Sequence, residues 1–268
     1  MGLAVRKDLV EPYWTQPETY VPGHFDASRY TKENVSFWAS HFVRLAEIAP
    51  HQRVLDIGCG TGGFTIAIAQ RTGGWTVGHD VSPALIAYAR RKNGSHQVQW
   101  ILGDAEHLEF GDGCFDRLIM SLVIHQVPNR KRALQEAYRV LKGSGVLILR
   151  TIAPEEVARR VPFRFFPRIA ELESARMPSI SELSRVIRSV GFRLIQMKTI
   201  ERNLPLRLCK VAGSLRRRER PSFQLLTEQD IESGIHRMRE EWQACGQNWV
   251  DPRPTVFMVA RKASETKT

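Results

Sequence analysis

Cysteine is scarce and scattered: Cys59, Cys114, Cys209 and Cys245 form neither a CxxC pair nor a cluster with metal-ligand spacing. Isolated thiols of this kind fit a reducing compartment and not a disulfide framework. The histidines show no HExxH-type spacing, so no metal is assigned. No apolar run reaches the roughly 18 residues that a membrane helix needs, and the charges in the opening MGLAVRKDLVEPYW displace the apolar core of a secretory signal. These absences predict a cytoplasmic protein with no membrane span. Internal repeats and low-complexity tracts are missing too. With 43% hydrophobic and 25% charged residues, a 268-residue chain of this make-up is globular and buries a large core.

Positive charge is in excess, at a formal +11, and it is unevenly spread. The first 134 residues carry 14 Lys and Arg against 13 Asp and Glu; the remaining 134 carry 25 against 15. Such a balance attracts an anionic substrate, nucleic acid or a membrane surface, or it is a solvated basic face.

Periodicity divides the chain into alternating elements. Residues 1–33 read as an N-terminal arm rich in aromatics and proline, and 33–48 as an amphipathic helix. Strands are then expected at 53–57, 75–79, 98–102, 115–121, 145–151, 192–200 and 255–261, with helices at 62–71, 83–92, 129–141 and 180–190. The middle of the chain alternates as βαβ units do, which predicts an α/β domain with a mostly parallel, doubly wound sheet. Segments 153–178 and 202–254 are too long for connections and read as cap insertions of this single domain.

The densest motif is RVLDIGCGTGGFTIAIA, residues 53–69, in which Gly58, Gly60 and Gly63 match GxGxxG between a strand and a helix. Glycines there let bare backbone approach a nucleoside ligand. A P-loop is disfavoured, because GGF stands where GK[ST] is required. A nicotinamide-dependent oxidoreductase stays open, since Asp80 ends the second strand where a ribose-binding carboxylate belongs. Tyr88 and Lys92 have the YxxxK spacing of a short-chain dehydrogenase pair, but they fall too early in the chain and read as exposed helix residues.

Four further features join the glycines in order: Asp56 two residues before Gly58, GDAEHL at 103–108, FDRLIMSLVIHQVP at 115–128 and RVLKGSGVLIL at 139–149. As a set over about residues 33–200 they resemble the class I S-adenosylmethionine-dependent methyltransferases, particularly the type 11 group that includes quinone-biosynthesis enzymes. The resemblance implies a seven-stranded, Rossmann-like sheet whose last strand, TVFMVARKA, enters antiparallel. It also implies S-adenosylmethionine as cofactor. Asp56 and the turn Gly58, Gly60, Thr61 and Gly62 would surround its methionine part, Asp80 its ribose, Asp104 with Ala105 its adenine, and Ser121 its sulfonium end, with Val81 a further cofactor contact. A carboxylate with two acceptor oxygens suits two ribose hydroxyls.

His125, just beyond the fourth strand, is the candidate general base, with an ordinary pKa near 6.5; it serves either that role or the shaping of the pocket floor. Gln126 stands where relatives often carry a second histidine. Tyr20, Tyr30, His125 and Arg164 are the candidate substrate contacts, and aromatics interleaved with arginines suit a small, flat or anionic acceptor. Methyl transfer to a small organic molecule is the expectation, with RNA methylation as an alternative suggested by LRRRER at 215–220. Against nucleic acid, the fourth strand exits into SLVIH and not an NPPY-like tetrapeptide, and no RNA-binding module is recognisable. The atom that receives the methyl and the oligomeric state are not written in the sequence.

Overall fold

A computed structural model describes residues 30–219, 221–246 and 249–263. In chain order the elements are α1 (Lys32–Leu45), β1 (Val54–Ile57), α2 (Gly63–Thr72), β2 (Thr76–Asp80), α3 (Pro83–Arg90), β3 (Val98–Leu102), β4 (Phe115–Ser121), α4 (Arg130–Val140) and β5 (Leu141–Thr151). There follow α5 (Pro154–Val157), α6 (Val161–Arg164), α7 (Pro167–Arg176), α8 (Ile180–Ser189), β6 (Phe192–Ile200), β7 (Asn203–Leu206), α9 (Leu208–Arg216), α10 (Glu228–Ala244), β8 (Trp249–Pro252) and β9 (Thr255–Lys262).

Seven strands form one sheet in the order β3-β2-β1-β4-β5-β9-β6. Pairings among β1 to β5 are parallel and β9 enters antiparallel to β5. The doubly wound architecture expected from the sequence is therefore present. Every residue of β1 and β2 is buried, as central strands covered on both faces require. The chain winds outward from β1 to β3 and then returns to β4 beside β1. That reversal opens a crevice at the carboxyl ends of β1 and β4, where doubly wound folds bind ligands.

The chain divides into two compact units. The larger takes the described parts of 30–151, 180–198 and 256–263 and holds the sheet. One side of its core packs Leu55, Ile57, Leu118, Met120, Leu147 and Leu149 with residues such as Leu134 and Ala137 of α4 and Leu183 and Ile187 of α8. On the other, Ile66 and Ala69 of α2 and Ile86 and Ala89 of α3 meet Val98 and Trp100 of β3. Caps set several helix starts: Ser82 accepts from the Leu85 N–H ahead of Pro83, and Asn129 from the Arg132 N–H.

The smaller unit comprises 152–179 and 199–255, nearly the two segments read as insertions. Val161 N–H donates to the buried Asp251 carboxylate at 3.0 Å, which also accepts from Arg253 at 2.7 Å. Phe163, Phe165 and Phe166 are all buried here. Phe165 packs on Trp249, and the Phe166 ring lies so close to Gly234 that no Cβ would fit. Three arginines of the basic run at 215–220 have partners within this unit. Arg216 pairs with Glu232, Arg217 with Glu219, and Arg218 donates to the carbonyls of Phe223, Gln224 and Leu226. Acids and carbonyls of the same unit thus already engage these three cations, which a groove tracking a phosphate backbone would need free.

Candidate active site

The site is built on the turn between β1 and α2. Asp56 is buried in β1; its Oδ2 accepts from the Thr65 hydroxyl of α2 at 2.6 Å, while Oδ1 has no partner among the described residues. The chain then turns through left-handed Gly58, Gly60 and Gly62, with φ of 72°, 57° and 75°. At two of them space as well as torsion requires glycine. A Cβ on Gly58 would run into the Val123 side chain, and one on Gly62 into the Trp100 indole. Thr61 between them is buried, and the next helix starts from Gly62.

Asp80 ends β2 across from this turn. Its Oδ2 accepts from the Gly60 N–H at 2.8 Å and its Oδ1 from the Ser82 N–H at 2.9 Å. The carboxylate thus ties the glycine turn to the start of α3. Burial raises its pKa above the ordinary carboxylate range, and the N–H groups of Ser82, Gly60 and Val81 counter that shift. Burial pushes Asp56 up to about 7; the Thr65 hydroxyl opposes this and the neighbouring Asp80 charge adds to it. Two buried acids flanking a backbone-lined turn suit a ligand with cationic centres and not a pyrophosphate.

The remaining cofactor-side residues lie along the same carboxyl edge. Val81 and Leu102, immediately beyond β2 and at the end of β3, leave 46% and 48% of their surface open. Asp104 is exposed, and its Oδ1 accepts from the Glu106 N–H at 2.9 Å, closing a turn that bridges to His107 with Ala105 between. Ser121 ends β4, its buried Oγ without a partner among the described residues. His125 lies in the following turn, where Gln126 Nε2 donates to the Leu122 carbonyl at 3.0 Å.

Tyr30, expected on the substrate side, sits against the glycine turn. Its ring fills the space a Cβ on Gly63 would take, and a Cβ on Gly60 would come within 3.9 Å of its hydroxyl. The Lys92 ammonium lies 5.0 Å from the Tyr30 ring centre and 5.4 Å from that of Tyr88, so the YxxxK pair serves as cation–π packing. Arg164, also expected to meet substrate, donates to Glu241 at 2.6 Å within the smaller unit. Tyr20 lies outside the described residues. Thr65, Trp100 and Arg150 escaped the sequence reading. Arg150, one residue before the end of β5, is the register partner of Ser121; it is buried, with its guanidinium carbon 3.7 Å from the Trp38 ring centre.

Comparisons with known proteins agree with this geometry. A family model described as "Methyltransferase domain" matches residues 55–149. Demethylmenaquinone methyltransferase of Bacillus cytotoxicus is 30% identical over 185 residues, 60% of this chain and 78% of the relative. That of Lactobacillus johnsonii is 32% identical over 158 residues, 55% of this chain and 65% of the relative. Among solved structures, a protein of Anabaena variabilis described as a methyltransferase from an antibiotic-biosynthesis pathway superposes with a TM-score of 0.69 at 21% identity, covering 86% of this chain and 98% of that one. Geranyl diphosphate C-methyltransferase of Streptomyces coelicolor, bound to S-adenosyl-L-homocysteine, does so at 0.56 and 16%, covering 85% and 76%. With its sheet order, glycine turn and flanking acids, the chain belongs to the class I S-adenosylmethionine-dependent methyltransferases, in their quinone-biosynthesis-like group, and S-adenosylmethionine is its cofactor.

Proposed function

We propose that the chain methylates a small aromatic metabolite of the quinol type, as the demethylmenaquinone methyltransferases among its relatives suggest. The observation that carries the reading is the side-chain-poor turn at Gly58 to Gly62 between the buried acids Asp56 and Asp80. S-adenosylmethionine supplies, when bound, a methyl group already activated on a sulfonium. The residues fit it: Asp56 offers an oxygen without a partner among the described residues to a cationic centre of the methionine part. The Asp80 oxygens, already accepting from Gly60 and Ser82, have lone pairs left for ribose hydroxyls. The second oxygen of Asp104 would serve the adenine amino group, with Val81 and Ala105 beside the ring system. Ser121 would line the sulfonium end.

His125, from the turn after β4, would take the proton of an acceptor hydroxyl as the methyl moves. A positioned base of this kind contributes roughly 10²- to 10⁴-fold. Tyr30 would close the glycine turn from the arm side, excluding water from the methionine end. Isothermal titration tests the assignment: S-adenosylhomocysteine is expected to bind and NAD to give no heat. Binding of NAD alone would return the fold to the oxidoreductases. Labelled S-adenosylmethionine offered with quinols, phenols and amines then identifies the acceptor class.

A further inference from the structure

We propose that the edge of the larger unit formed by α8, β6 and the start of α4 docks onto an anionic lipid bilayer. Between residues 180 and 198 the chain carries one acid, Glu182, against Arg185, Arg188, Arg193 and Lys198. All four cations are exposed, as is Lys131 on the neighbouring α4. Glu182 is engaged by Arg130 of α4 at 3.5 Å, which also fixes the two helix starts side by side. Among the described residues none of Lys131, Arg185, Arg188, Arg193 and Lys198 forms an ion pair. The contrast with Arg216 to Arg218 is direct: there each arginine meets an acid or carbonyls of its own unit, and here no described acid meets the cations.

Apolar surface lies at the same edge of the sheet. Ile195 and Met197 on β6 are 41% and 53% exposed, and the Ser184 hydroxyl donates to the Met197 sulfur at 3.8 Å, which places that side chain beside the turn carrying Arg185 and Arg188. Cations around a few protruding aliphatic side chains are what an anionic bilayer interface recognises, headgroups meeting the charges and acyl boundary the apolar atoms. A second copy is a poor occupant, because β6 is an edge strand and Arg193 and Lys198 on it repel a like strand. Single-stranded nucleic acid would want exposed aromatic rings for its bases, and 180–198 has only Phe192, which is buried.

The test is sedimentation of the full chain with vesicles of phosphatidylcholine alone or mixed with phosphatidylglycerol, at low and high salt. Binding is expected only to the mixed vesicles, weakening with salt. Each cation lost should lower it about five-fold, so Arg185→Glu with Arg188→Glu should lose it, as should Ile195→Ser with Met197→Ser in part. Lys32→Glu with Arg44→Glu, an equal charge change on exposed positions of α1, should retain it. Titration with S-adenosylhomocysteine confirms that each variant keeps its cofactor site, so this result stands apart from the methyl-transfer reading. No binding to anionic vesicles, equal loss in both charge variants, undiminished binding by the Ile195 and Met197 variant, or RNA binding in place of vesicle binding would each overturn the proposal.

Discussion

Asp80 does its work with both oxygens at once, and that makes its substitution informative. Asp80→Asn keeps the shape but turns an amide donor toward either the Gly60 or the Ser82 N–H. A hydrogen bond to a charged group is worth about 1.5–3 kcal/mol, so S-adenosylhomocysteine affinity should fall about 10- to 100-fold in a titration, with circular dichroism unchanged. Unaltered affinity would detach Asp80 from the ligand. His125→Ala is expected to behave in the opposite way, with turnover down by at least about 100-fold and S-adenosylhomocysteine affinity intact; unchanged turnover would leave His125 a pocket-shaping residue. Asp56, Asp80 and the glycines were legible because their spacing sits within one strand–turn–helix unit and one strand end. Thr65 and Trp100 were not, since each acts on that turn through a contact that only the closed fold creates, and Tyr30 was named only as a substrate contact, not as packing on the turn. Arg150 shows the same limit: a single arginine ending an apolar strand looks like a solvated terminus until Trp38 is seen over it.

Glycines at the two ends of α2 separate what an element needs from what the site needs. Gly62 and Gly73 are both left-handed, at φ of 75° and 59°, but a Cβ on Gly62 meets Trp100 whereas nothing lies within 4 Å of one on Gly73. Gly73→Ala should therefore cost about 1–2 kcal/mol, the torsional penalty alone. Gly62→Ala should cost more, about 1–3 kcal/mol being added by the overpacked indole, and should also displace the turn. Thermal melting of the two variants gives the comparison, and equal losses would show that Trp100 yields freely. Most elements of the sheet were readable from sequence because apolar runs four or more residues long alternate with amphipathic ones. The start of β5 was not: α4 passes into the strand at Leu141 without a loop, so turn residues Gly143 to Gly145 misled the boundary. The antiparallel β7–β8 pair was invisible for another reason. NLPL is only four residues long and carries a proline, and its partner Trp249–Pro252 lies far along the chain beyond α9 and α10.

At the scale of the whole molecule, the buried acid Asp56 couples folding, pH and cofactor. Its folded pKa stands at about 7 against an ordinary 3.8, so between about pH 4 and 7 the folded state holds a proton that the unfolded chain has released. Stability without ligand must then fall as pH rises through that window, by as much as about 4 kcal/mol from this group. Above pH 7 the charge is present, met only by the Thr65 hydroxyl among the described residues. A ligand that brings a cationic centre to the free Asp56 oxygen reverses the sense, because it prefers the ionised form and releases the proton on binding. S-adenosylhomocysteine affinity should accordingly rise from pH 5.5 to pH 8 (about tenfold per unit below the pKa), and the thermal shift it produces should widen over the same range. Asp56→Asn removes the titrating group, so it should melt with a shallower pH dependence and bind with little. Melting curves of both proteins across that range decide the matter: a wild-type chain whose unliganded stability climbs steadily to pH 8, or whose affinity ignores pH, would mean that the β1 carboxyl does not face the ligand's positive charge.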